Sequence, residues 1–81
     1  MDTVYVTKSG CSHCTVVINF LNSRPALAQK VSVRYIDSDD GARRDFEALG
    51  FRSRPAAVIR GQKLVGDAVI INAIRAAYGT V

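Results

Sequence analysis

The spacing of hydrophobic positions changes along the chain, and each change marks an element. Residues 3–8 (TVYVTK) are short and rich in β-branched side chains, which reads as a first strand. Beyond Gly10 the period lengthens. Cys14, Val17, Ile18 and Leu21 recur at i, i+3, i+4 and i+7, one face of a helix that begins at Ser12. That helix frays at Asn22 and Ser23, and Pro25 stops or redirects it. In VSVRYID (31–37), Val31, Val33 and Tyr35 share one face of a second strand. DSDDG (37–41) is a turn whose acids can cap the next helix. Ala42, Phe46 and Leu49 form that helix's apolar face, and Gly50 ends it. Residues 57–60 and 63–65 flank Gly61 and Gln62 as a hairpin. The last helix follows Gly66, with Asp67 as its N-cap, and buries Ile70, Ile71, Ile74, Ala77 and Tyr78.

This order is β-α-β-α-β-β-α. The strand–helix–strand unit implies two parallel strands joined by a right-handed crossover. The hairpin adds antiparallel strands. The expected fold is therefore α/β, a four-stranded mixed sheet with three helices over its two faces. A length of 81 residues fits one domain, 1–81. With 48% hydrophobic and 22% charged residues, the composition is that of a globular rather than a disordered chain.

Charge narrows the function classes. The net charge of +4 favours acidic partners, but the basic residues are scattered, with no Lys/Arg run. Arg52, Arg54 and Arg60 are the nearest thing to a patch and read as a solvated face, so no nucleic-acid partner is expected. No stretch approaches the roughly 20 apolar residues of a membrane span. An acid at position 2 and the lack of an apolar leader run predict a cytoplasmic protein. In a reducing compartment two cysteines do not serve as a permanent staple.

Both cysteines lie in KSGCSHC (8–14). A structural zinc takes four ligands, usually from two separated pairs. Cys11, Cys14 and His13 fall short of that set, so no metal is expected, although a site shared across a dimer stays open. A Cys-x-x-Cys beside a βαβ pattern points instead to thiol–disulfide chemistry. Cys11 follows the first strand and opens the helix, where free amides and the helix dipole favour thiolate. Cys14 lies one turn later on the buried side, within disulfide reach. Cys11 then attacks a partner disulfide and Cys14 resolves the mixed disulfide. His13 is either a tuner that stabilises the Cys11 thiolate when protonated, or an exposed bystander. Ser12, the other intervening residue, also bears on the potential.

VTKSGCSHC, SRPAAVI and KLVGDAV together resemble the glutaredoxins of the thioredoxin-fold superfamily, over nearly the whole chain. The resemblance implies a thioredoxin/glutaredoxin-like fold and a small dithiol–disulfide oxidoreductase, an electron carrier with a redox-active disulfide and no bound cofactor. It also implies a cis bond before Pro55, which presents the Arg54 backbone to a substrate. It further places Lys8, Arg54, Pro55 and Asp67 in substrate or glutathione binding. EALGFRSRPAAVIRG is similar to the NrdH-type redoxins, which take electrons from thioredoxin reductase and pass them to class Ib ribonucleotide reductase. Ordinary glutaredoxins are recharged by glutathione. The expected partners are therefore a disulfide-containing protein, with ribonucleotide reductase as one candidate, and either glutathione or thioredoxin reductase; the domain is expected to act as a monomer. Ser12-His13 departs from the dipeptides common in both groups, and LVGDA (64–68) replaces the NrdH tryptophan segment. The resemblance keeps one alternative in play, a dimer holding a [2Fe–2S] cluster through the first cysteine and glutathione.

Overall fold

The computed structural model describes residues 2–79. In chain order it contains β1 (Thr3–Val6), α1 (Ser12–Asn22), α2 (Pro25–Ala28), β2 (Ser32–Tyr35), α3 (Asp40–Ala48), β3 (Ala56–Ile59), β4 (Gln62–Val65) and α4 (Asp67–Tyr78). The strands form one mixed sheet in the order β2-β1-β3-β4. β1 and β2 are parallel, with Val4 opposite Val33, and β3 runs antiparallel to both β1 and β4. This is the expected α/β, thioredoxin-like architecture.

Strand alternation divides the core between the two faces of the sheet. Val4 and Val6 of β1, with Ala57 and Ile59 of β3, pack under α1 and α4 against Val17, Leu21, Ile70 and Ile74. Tyr5 and Ala56 point the other way and meet Phe46 and Phe51. The three rings of Tyr5, Phe46 and Phe51 stand 5.6–6.1 Å apart in tilted and edge-on contacts, which fix α3 on its face. Asp39 caps α3 by accepting the Ala42 amide at 3.1 Å. Arg34 of β2 pairs with Asp45 and ties the edge strand to α3.

Three local expectations need correction. The sequence reading expected three helices, whereas the described residues form four. The extra helix is α2: α1 ends at Asn22, and Pro25 redirects the chain, one of its two expected effects, by opening α2 at a position where its missing N–H is no loss and its fixed φ suits a helix. Leu27 buries the short helix against the core. The hairpin turns at Arg60 and Gly61, one residue earlier than expected. Both have positive φ, 50° and 80°, as a tight two-residue hairpin turn requires. Arg60 is held there by its amide, which donates to the Asp2 carboxylate at 2.9 Å, and by its guanidinium, which donates to the Ala77 carbonyl at 2.9 Å. Finally, β1 stops at Val6 rather than Lys8, because the Lys8 amide donates to the Asp37 side chain instead of a strand partner.

Asp2 also accepts the Tyr78 hydroxyl, so the N-terminal strand, the hairpin turn and the end of α4 are clasped together. The Tyr78 hydrogen bond, helped by the Arg60 amide, holds the Asp2 carboxyl below its ordinary range. The same bond pushes the Tyr78 phenol up.

Candidate active site at the start of α1

β1 carries the chain to the sheet's end, and Gly10 reverses it with a φ of 73°. A side chain at that φ is strained, which explains a glycine just before the cysteine. Cys11 is the N-cap of α1, with extended backbone, and its Sγ accepts the Cys14 amide at 3.1 Å. Sulfur therefore stands where a Ser or Asp oxygen would normally satisfy the first turn.

Cys11 and Cys14 are joined as a disulfide, with Cα atoms 5.3 Å apart. The two sulfurs differ in access. Cys11 is partly exposed, whereas Cys14 is fully buried and belongs to the core cluster under α1. An incoming sulfur therefore meets Cys11 first. Thr7 is buried behind the pair. Its hydroxyl donates to the Ser9 carbonyl at 3.0 Å and lies 4.0 Å from Cys14 Sγ. Its neighbours Ser9 and Ser12 are exposed.

The loop before β3 supplies the opposite wall. The Arg54–Pro55 peptide bond is cis, and Pro55 is fully buried. The Arg54 carbonyl oxygen lies 3.9 Å from Cys11 Sγ, and the Arg54 guanidinium donates to the Gly10 carbonyl at 3.3 Å. Arg54 thus touches the disulfide through its backbone and braces the Gly10 turn through its side chain.

His13 points away from the sulfurs to α4, where its Nδ1 lies 3.2 Å from Asp67 Oδ2. That contact, and the Ala68 amide that donates to Oδ1, hold the Asp67 carboxyl below its ordinary range. Asp67 was expected to cap α4. Instead Gly66 occupies the cap with a φ of 104°, and Asp67 is the first helical residue, its charge favourable at the positive helix end. Lys8 stands apart from this pair. It is exposed, with its Nζ 5.1 Å from the Tyr35 ring centroid.

The structure therefore gathers Cys11, Cys14 and Arg54–Pro55 at one point and places His13 with Asp67 on the α4 side. Sequence reasoning missed Arg43, which shares an open groove with Arg52 and with Arg54, the residue whose carbonyl lies near Cys11 Sγ. No local motif announces it, since α3 brings it there from far along the chain. Among the described residues, no group of three or more His, Cys, Asp or Glu side chains is placed to hold a metal ion. No helix among them is long and apolar enough to cross a membrane.

No curated protein matches the chain. The glutaredoxin family model matches residues 3–65, from the start of β1 to the end of β4, leaving Asp67 and α4 beyond the match. With the whole sheet and the Cys11–Cys14 pair inside that match, the chain belongs to the glutaredoxin family of thiol–disulfide oxidoreductases.

Proposed function

We propose that this chain folds as a single cytoplasmic domain and reduces protein disulfides as a monomeric dithiol electron carrier, with Cys11 attacking and Cys14 resolving. The observation that carries this reading is the asymmetry of the pair. Cys11 is partly exposed at a helix N-cap, and Cys14 is fully buried behind it. The Cys14 amide that caps the sulfur and the helix dipole stabilise negative charge on Cys11 Sγ.

In the reduced form, the Cys11 thiolate attacks one sulfur of a substrate disulfide. A mixed disulfide forms, and the other substrate sulfur leaves as a thiolate that takes up a proton. Cys14 then loses its proton and attacks Cys11 Sγ. The Cys11–Cys14 bond forms and the second substrate thiolate leaves. Two electrons pass to the substrate, and two from an external reductant reset the site.

Arg54 and Pro55 shape the docking wall, with the Arg54 carbonyl beside the sulfur offered to a substrate backbone. Lys8 supplies positive charge near the cleft. Asp67 receives a cationic group of the ligand, in competition with His13. His13 tunes the pair only modestly, because its ring Nδ1 is engaged by the Asp67 carboxylate on α4. Ser12 contributes through its place in the first turn of α1.

Glutathione and thioredoxin reductase are the two candidate reductants, and class Ib ribonucleotide reductase is the substrate implied by the NrdH-like segment. Coupled NADPH consumption decides between the reductants. Thioredoxin reductase is tested in one assay, and glutathione with glutathione reductase in the other. Turnover in at least one is expected, and turnover in neither overturns the reading.

A further inference from the structure

Resolution asks a buried thiol to lose a proton. Cys14 is fully buried and belongs to the apolar cluster that includes Val6, Val17 and Ile70. Apolar burial disfavours the thiolate form that must attack. The charged groups of the neighbouring elements are turned elsewhere. The Lys8 amine lies over the Tyr35 ring, 5.1 Å from its centroid. The Asp37 carboxylate accepts the Lys8 backbone amide at 3.0 Å. His13 on α1 pairs with Asp67 on α4, and the Arg54 guanidinium donates to the Gly10 carbonyl. That leaves Thr7. It is the one buried serine or threonine among the described residues, and its Oγ1 lies 4.0 Å from Cys14 Sγ.

A valine would fill the same shape without a hydroxyl, and burying a hydroxyl costs free energy unless it is hydrogen-bonded. The Thr7 hydroxyl has one hydrogen and two lone pairs. Its hydrogen goes to the Ser9 carbonyl at 3.0 Å, so a lone pair is left to accept from the Cys14 thiol once the disulfide is reduced. Ser9 is exposed, so water replaces Thr7 at that carbonyl when the hydroxyl rotates towards the sulfur.

We propose that Thr7 is a positioning residue for resolution: its hydroxyl accepts the Cys14 S–H in the mixed disulfide and rotates to donate to Cys14 Sγ as the thiolate forms. The proposal rests on the reading that Cys14 resolves, and it deepens that reading. The Cys11–Cys14 bond forms as the bond from Cys11 to the substrate breaks, and the electron pair of the broken bond leaves with the substrate sulfur. The proton lost by Cys14 passes through water to that sulfur.

The test mixes reduced protein with excess dipyridyl disulfide and follows the absorbing thiol that is released. Attack by Cys11 frees the first equivalent at a rate proportional to the probe concentration. Resolution by Cys14 frees the second at a rate independent of it. Thr7→Val should slow the second phase about tenfold at neutral pH and raise its pH midpoint by about one unit, the scale of a lost hydrogen bond to a charged group. The first phase should be unchanged. Thr7→Ser keeps the hydroxyl and should match the wild type in both phases. Circular dichroism checks folding, and Thr7→Ala is read in the same way if the valine variant is unfolded.

An unchanged second phase in Thr7→Val overturns the proposal. Equal slowing of both phases, or slowing with an unmoved pH midpoint, assigns Thr7 to the shape of the Gly10 loop alone and overturns it as well. So does a Thr7→Ser variant as slow as Thr7→Val. The underlying reading fails differently. A wild type that releases one equivalent and keeps the probe on Cys11 does not resolve through Cys14, and the proposal falls with that reading.

Discussion

Removing Cys14 separates attack from resolution. Cys14 is fully buried in the α1 core, 5.3 Å from Cys11 between Cα atoms, so its sulfur is held in place for intramolecular attack. Well-oriented intramolecular reactions reach effective molarities of about 10⁵ M. If the pair realises only about a hundredth of that, an external thiol near 1 mM releases the mixed disulfide on the order of 10⁶-fold more slowly. Cys14→Ser should therefore accumulate a covalent adduct with a protein disulfide substrate, where the wild type shows none. Serine also buries a hydroxyl, at a cost of about 1–3 kcal/mol. Cys14→Ala removes that ambiguity, and circular dichroism checks that both variants fold. The assay is intact-mass analysis after acid quenching, with the adduct mapped by digestion. An adduct on Cys11 in both variants, absent in Cys11→Ser, fits the mechanism. Wild-type turnover of a protein disulfide by either Cys14 variant, with no adduct, refutes it.

Other consequences are open to direct measurement. Phe46→Ala removes one buried ring of the aromatic trio and should cost about 3–5 kcal/mol, lowering Tm by at least about 12 °C in thermal melts. Asp2 and Asp67 have carboxyls held below the ordinary 3.8, so the stability they contribute is present above that pH and lost as pH falls through their lowered range. Urea midpoints should drop on that acid limb, and Asp2→Asn should flatten it. Tyr78 is shifted up from 10.0, so its contribution is full below that pH and lost in more alkaline solution, a limb that Tyr78→Phe should remove. Asp67→Asn takes a negative charge from the α4 side of the site and should make the disulfide slightly more oxidising, while His13→Gln should make it slightly less so. Each shift should stay within about 30 mV when equilibrated against a glutathione redox buffer.

Much of the architecture is legible because the two periodicities alternate cleanly. Val4 and Val6 against Tyr5 specify a strand buried on both faces, and the Cys14, Val17, Leu21 spacing specifies the helix that follows. The cysteine pair at that junction identifies the chemistry. What the sequence hides depends on contacts made at a distance. Arg60 takes a positive φ because Asp2 and Ala77 hold its amide and guanidinium, and neither lies near it in the chain. Gly66 takes the cap of α4 while Asp67 moves inside the helix, where it meets His13 across from α1. Pro25 opens a helix because Leu27 has a core to bury into. The groove is hidden for the same reason. Arg43 and Arg52 come together only when α3 packs on the aromatic trio.

In the proposed mechanism Cys11 and Cys14 exchange two electrons with a protein disulfide as a unit. The most direct measurement mixes the fully reduced protein with excess protein disulfide, without any recycling system, and counts both products. One substrate disulfide should be reduced for each protein molecule, with both cysteines lost to alkylation and joined to each other. Substrate left oxidised, or substrate reduced while Cys11 and Cys14 remain free thiols, contradicts it.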